Sequence, residues 1–238
     1  KDDRDSHGGR TLWAYDSQLR PLWTARVGHP RYGHALAMCD INGDGRDEIL
    51  AGFHCFDADG KLLWKCQDAE MNADDHVDEV KLGFFGPDGE PRAVGTNGGD
   101  GVYLLDGLSG EVIARHGFGH VQGVSVGNYL PEKPGMAYCV GSRWGSFGIL
   151  NVLDAEGRVV ATWEPDNVSQ GGPPVRWTDD GRNLIVLSST EAALGLWDGC
   201  GNRCVTLTCP ELPGRGFYGV QKGQGSVVDV DDDGRDEI

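Results

Sequence analysis

The chain has 238 residues, 39% hydrophobic and 24% charged, a composition that supports one packed domain and excludes disorder. Its net charge of −16 argues against a nucleic-acid partner, because polyanion binders carry a basic face. No run reaches the roughly eighteen apolar residues of a membrane span, and the polar stretch Lys1 to Arg10 shows no signal peptide. The 38 glycines and 11 prolines lie scattered between short apolar runs, which is how an all-β chain with many turns reads.

In chain order, the first element is a hairpin, TLWAYDSQLRPLWTARV, within residues 1–29. A fuller unit follows over about 30–72: a strand ALAMC, an acidic loop, a strand EILAG, and a hairpin FHCFDADGKLLWKC turning at Asp59 and Gly60. The same order recurs over about 73–117, from DDHVDEV to GVYLLDGLSGEVIARHG, and over about 118–170, from GHVQGVSV to ILNVLDAEGRVVATW. A less regular copy occupies about 171–213, with Asp198 to Gly201 at its hairpin, and a partial copy fills 214–238. Matching starts fall 42 residues apart from His34 to His76, 44 on to His120, 54 to Pro174 and 44 to Tyr218. Those steps are the length of a four-stranded propeller blade. The expected fold is therefore an all-β β-propeller, a single domain over 1–238 covering about five blades. Most rings need more, so a truncated portion of a seven- or eight-bladed ring is expected, with a five-bladed ring closed by joining the two half-copies as the alternative.

Many of the carboxylates gather in two equivalent loops, DINGDGRDE and DVDDDGRDE. In the first, Asp40, Asn42 and Asp44 alternate toward one centre, Gly45 permits the sharp turn, and Glu48 adds a carboxylate at the ninth position. Asp229, Asp231, Asp233 and Glu237 repeat the set. Hard cations take six to eight oxygens, so both loops are expected to bind Ca2+ in a structural role. The seven cysteines lie mostly inside predicted strands, where free thiols pack as small hydrophobes, although Cys200 and Cys204 are close enough in sequence to bridge.

Three histidines open successive copies: His34 in YGHALAM, His76 in DDHVDEV and His120 in GHVQGVSV. Residues at the starts of innermost strands line the mouth of a propeller's axial channel, so these three are expected to converge, or else to satisfy buried hydrogen bonds. The third copy carries GSRWGSFG, in which Arg143 and Trp144 are flanked by glycines that allow close approach of a ligand. A guanidinium clamps a carboxylate and an indole covers the apolar face of a sugar, so the pair reads as an acidic-sugar contact. Trp177 is a further candidate of that kind, whereas Trp197 reads as core.

The two acidic loops, with the hairpins FDADGKLLW and LDAEGRVVATW, resemble the calcium repeats of integrin-type and rhamnogalacturonan-lyase-type propellers. The segments DDHVDEV, GHVQGVSVGNYLPEKPGMAY and SRWGSFGI resemble calcium-dependent propeller polysaccharide lyases related to rhamnogalacturonan lyase. The resemblance implies β-elimination on a uronate-containing glycan, rhamnogalacturonan-like or with a rhamnose-glucuronate linkage. Such chemistry needs a cation on the uronate carboxylate, a base for the C5 proton and an acid for the departing O4. Arg143 would hold the carboxylate, His76 or His120 would be the base, and His34 or Tyr218 the donor or positioning group. A hydrolase would want two flanking carboxylates, for which Asp78 and Glu79 are the nearest candidates. The partner implied is an acidic polysaccharide or oligosaccharide met by a monomer outside the cell or in the periplasm, with a cytoplasmic protein acting on imported oligosaccharides as the alternative. A non-catalytic carbohydrate-binding or adhesion propeller is the competing function, and a quinoprotein-like propeller lacks its regular tryptophan docking motif.

Overall fold

A computed structural model describes residues 11–26, 33–67, 76–142, 148–166, 172–188, 190, 192–208 and 227–238. Its regular elements are strands throughout, and among the described residues no helix is long and apolar enough to cross a membrane. β1 (Thr11–Tyr15) and β2 (Pro21–Arg26) form a hairpin. Four sheets of four strands follow. The first holds β3 (Leu36–Cys39), β4 (Glu48–Ala51), β5 (His54–Phe56) and β6 (Leu62–Lys65). The second holds β7 (Val77–Phe84), β8 (Pro91–Asn97), β9 (Gly101–Asp106) and β10 (Val112–His116). The third holds β11 (Val121–Gly127), β12 (Ala137–Ser142), β13 (Leu150–Leu153) and β14 (Val159–Trp163). The fourth holds β15 (Pro174–Val175), β16 (Leu184–Leu187), β17 (Gly195–Trp197) and β18 (Arg203–Thr206). Each is an antiparallel meander in which strands pair in chain order, so each of the four full copies folds as one sheet. The middle strands β8, β9, β12 and β13 are buried along most of their length, as their unbroken apolar runs require, while β10 and β14 alternate toward solvent.

The chain divides into two compact units, one of Lys1–Phe84 with Glu90–Phe118 and the other of Phe85–Gly89 with Gly119–Ile238. In the first, Leu50, Phe53, Cys55 and Trp64 pack with Val77, Val80, Tyr103 and Leu105. In the second, Tyr129, Cys139, Leu150 and Val152 pack with Ile185, Leu187 and Trp197, which is core as expected. The thiols of Cys55 and Cys139 are fully buried and pushed up to about 12 by that burial, so they act as small hydrophobes. Cys200 and Cys204 are both free.

One turn device recurs with a variation. The aspartates that open the outer hairpins accept backbone N–H groups of their own turns: Asp16, Asp57, Asp154 and Asp198 take those two and four residues on, and Asp106 those two and three residues on. Glycine follows in the left-handed region, at Gly60, Gly110, Gly157 and Gly201. Three of those glycines also have a second role, because a tryptophan from the preceding sheet lies flat on them. Trp23 covers Gly60, Trp64 covers Gly110 and Trp163 covers Gly201, so closely that a Cβ there would collide with the ring. The indole N–H of Trp23 donates to the Ala58 carbonyl at 2.9 Å, and that of Trp64 to the Gly107 carbonyl at 2.9 Å. A tryptophan followed in the next copy by an aspartate-led turn that closes on a left-handed glycine is thus an inter-sheet joint.

Candidate functional site

In the first unit the starts of two successive innermost strands meet at one carboxylate. His34 precedes β3 and His76 precedes β7, and their rings lie edge to face with centroids 4.8 Å apart. His76 Nε2 is 3.3 Å from Asp78 Oδ1, and His34 Nε2 is 3.9 Å from the same oxygen. Exposure is graded: the Asp78 side chain is 1% exposed, that of His76 13% and that of His34 51%. A buried carboxylate therefore underlies two imidazoles, the outer of which faces solvent.

Two local features build this arrangement. Gly33 sits at φ 79° where a Cβ would collide with the Val77 carbonyl, and the His34 N–H donates to that carbonyl at 3.0 Å. Only glycine lets the chain before β3 lie directly on β7, which carries His34 over Asp78. β7 itself is bulged: Val77 pairs with Asn97 but Val80 pairs with Gly95, so the intervening stretch holds one extra residue. The Thr96 hydroxyl pins the bulge by accepting the Glu79 N–H at 2.9 Å. Bulges re-aim side chains, and here Asp78 turns under the histidines while Glu79 pairs with Lys81 at 2.5 Å. Asp78 and Glu79 thus take different partners.

The other expected site residues are distributed differently. His120 stands before β11 in the second unit, and β11 repeats the bulge between Val121 and Gly123, with Gln122 at the place of Asp78. Trp177 is 37% exposed and lines a cavity of about 580 Å³ in the second unit with Leu194, Leu207, Arg235 and Asp236. Arg143, Trp144 and Tyr218 lie outside the described residues.

Both acidic loops are ordered by their own side chains. Asp40 accepts the N–H groups of Gly43, Asp44 and Gly45, and Asp229 accepts those of Asp233 and Gly234. Glu48 is buried and accepts the Ile41 N–H at 3.1 Å and the Asn42 amide at 2.7 Å; burial pushes its carboxyl above the usual range. Asp231 joins Asp229 and Glu237 in a cluster whose oxygens lie within 4.8 Å of one another. The arginines differ in partner. Arg46 clamps Asp59 of its own sheet's hairpin with bonds of 2.8 and 2.7 Å, whereas Arg235 clamps Asp179, in the loop that follows β15, with two of 2.9 Å. Because β3 runs from the His34 side to Asp40, the first loop and the histidines sit at opposite ends of their sheet.

Asp78 is the central group that spacing alone left without its role. Its signal was the H-x-D order in DDHVDEV, which puts His76 and Asp78 on one side of a strand start, and which the other copies lack.

Successive four-stranded antiparallel meanders of this kind are propeller blades, and the chain is a β-propeller. Among solved structures it is similar to rhamnogalacturonan lyase YesW, with a TM-score of 0.59 at 20% identity over 83% of this chain and 34% of that one. A Bacillus licheniformis rhamnogalacturonan lyase gives 0.59 at 19% identity, over 83% and 34%. The V. cholerae biofilm matrix protein Bap1 gives 0.55 at 15% identity, over 84% and 33%. These identities establish a shared fold, and the chain spans about a third of the length of each of those proteins. No protein-family model and no curated protein matches the sequence.

Proposed function

We propose that this chain belongs to a polysaccharide lyase that cleaves a uronate-containing glycan by β-elimination, with His34, His76 and Asp78 as its proton-transfer group. The observation that carries the reading is the meeting of two imidazoles, from adjacent strand starts, over one buried carboxylate. His34, the most exposed of the three, takes the C5 proton; the C–H electron pair becomes the C4–C5 double bond, and the C4–O4 bond breaks with a proton returned to O4. Asp78 Oδ1, 3.9 Å from His34 Nε2 and 3.3 Å from His76 Nε2, faces both imidazoles and positions them for that transfer. A cation on the uronate carboxylate makes the C5 proton easier to remove, and Arg143 is the residue type suited to that. Likeness of fold to rhamnogalacturonan lyases supports the reading. Ca2+ in the loops Asp40 to Glu48 and Asp229 to Glu237 serves the scaffold, because the first loop lies at the far end of its sheet from the histidines. The substrate class places the protein outside the cell or in the periplasm.

The test incubates the full-length protein with rhamnogalacturonan, ulvan and gum arabic and follows the ultraviolet absorbance of an unsaturated uronate. The wild type is expected to produce it on one of them, His76→Ala to lose it by about 100-fold or more, and calcium chelation to lower the thermal transition before activity is lost. No absorbance on any glycan, with glycan binding retained, would overturn the lyase in favour of a carbohydrate-binding propeller.

A further inference from the structure

We propose that His34, His76 and Asp78 also form a binding site for a divalent transition-metal ion of the Zn2+ type, distinct from the acidic calcium loops. The three residues offer two imidazole nitrogens and one carboxylate oxygen, all within 4.8 Å of one another. That donor set is the one zinc and its neighbours prefer, while calcium prefers oxygen alone. Zinc–ligand distances of about 2.0–2.2 Å in a tetrahedron put ligand atoms about 3.3–3.6 Å apart. His76 Nε2 already lies 3.3 Å from Asp78 Oδ1, and His34 Nε2 lies 3.9 Å from it. On the His34–Asp78 edge, closing on an ion asks for only a few tenths of an ångström, and His34 is the most exposed of the three side chains.

Support comes from below and space is left above. Asp78 is fixed by the bulge that Thr96 pins, and His34 is fixed through Gly33 and the Val77 carbonyl, so the ligands are held by backbone. His34 is half exposed, so solvent reaches the cluster, and a three-ligand zinc site would take water or a ligand oxygen as its fourth donor. The inference rests on this geometry and not on the lyase reading. The two meet in one consequence, that an imidazole holding an ion through Nε2 cannot also take a proton there, so Zn2+ inhibits any elimination that the free histidines perform.

The experiment strips the full-length chain with a chelator, saturates the acidic loops with Ca2+, and titrates Zn2+ against a chromophoric zinc chelator. Cys200, Cys204 and Cys209 are replaced by serine so that thiols do not contribute. One equivalent of Zn2+ is expected, with affinity weakened at least about 100-fold in His76→Ala and in Asp78→Asn, clearly weakened in His34→Ala, and unchanged in His120→Ala. His34→Ala, on an exposed side chain, keeps the fold and so keeps the test valid if Asp78→Asn unfolds. Equal zinc affinity in wild type, His34→Ala and His76→Ala, or no zinc bound, would overturn the site. Stoichiometric zinc with no elimination product would sink the lyase alone, and elimination indifferent to added Zn2+ would sink the metal site alone.

Discussion

The two ends of the sheets in the first unit use the repeat in opposite ways. At the acidic-loop end, equivalent residues do equivalent work in each copy: the hairpin aspartates cap their turns, and Trp23 and Trp64 seat on Gly60 and Gly110. At the histidine end, the repeated residue is the same and its surroundings are not. His34 is followed two residues on by Leu36, His76 by Asp78 and His120 by Gln122, and the carboxylate occurs once. Repetition therefore builds the scaffold, and a single departure from it, set on a bulge, builds the site.

The sharpest way to break that division is to remove a joint. Trp64 is buried, covers Gly110 and donates its indole N–H to Gly107. Trp64→Ala is expected to cost roughly 3–5 kcal/mol in denaturant unfolding, the range for deleting a buried tryptophan. Trp64→Phe, which keeps the ring and loses the N–H, should cost about 1–2 kcal/mol. Should Trp64→Ala cost no more than an exposed-histidine change such as His34→Ala, stability would not reside in these joints.

A second effect separates a buried histidine from the candidate-site histidines at the histidine end itself. His54 opens β5 there, 3% exposed and stacked on Phe56, and burial together with the nearby Lys65 lowers its pKa from 6.5 to about 4. Between those values the unfolded chain holds the proton and the folded chain does not, so stability falls as pH drops through that window and levels off below it. A shift of this size corresponds to about 3 kcal/mol. Urea midpoints across that range should show the loss in wild type and not in His54→Phe, while His34→Ala should leave the slope in place. The same slope in His54→Phe would move the effect to other groups.

Much of the scaffold was legible because its signals are local. Strand alternation, the Asp-Gly turns and the spacing of the copies fall within a few residues of one another, and the four sheets lie inside the repeats read from them. The acidic loops were equally plain, since Asp40 and Asp229 accept the N–H groups of their own loops. The histidine positions were legible too, but not what they meet. Asp78 acquires its role through a bulge set by Thr96 on the neighbouring strand and through Gly33 lying on Val77 more than forty residues away, and no spacing in one copy encodes either. The tryptophan joints were hidden for a like reason, since each indole and its glycine belong to different copies.

The smallest expected effect tests how far the repeat at the hairpin end has been kept. Leu19 stands where the other sheets carry Gly60, Gly110, Gly157 and Gly201, and it holds the same left-handed backbone at φ 61° while 80% exposed. An L side chain with a Cβ pays roughly 1–2 kcal/mol for that conformation, and glycine does not. Glycine in turn gains entropy in the unfolded chain, which returns roughly 0.5–1 kcal/mol of the difference. Leu19→Gly should therefore raise stability by up to about 1 kcal/mol, read as a later denaturation midpoint at unchanged slope. Leu19→Asn, whose side chain tolerates the left-handed region, should fall between the two. A neutral or destabilising Leu19→Gly would mean that the leucine makes contacts which offset its strain, and that this turn, unlike the other four, has departed from the scaffold's rule.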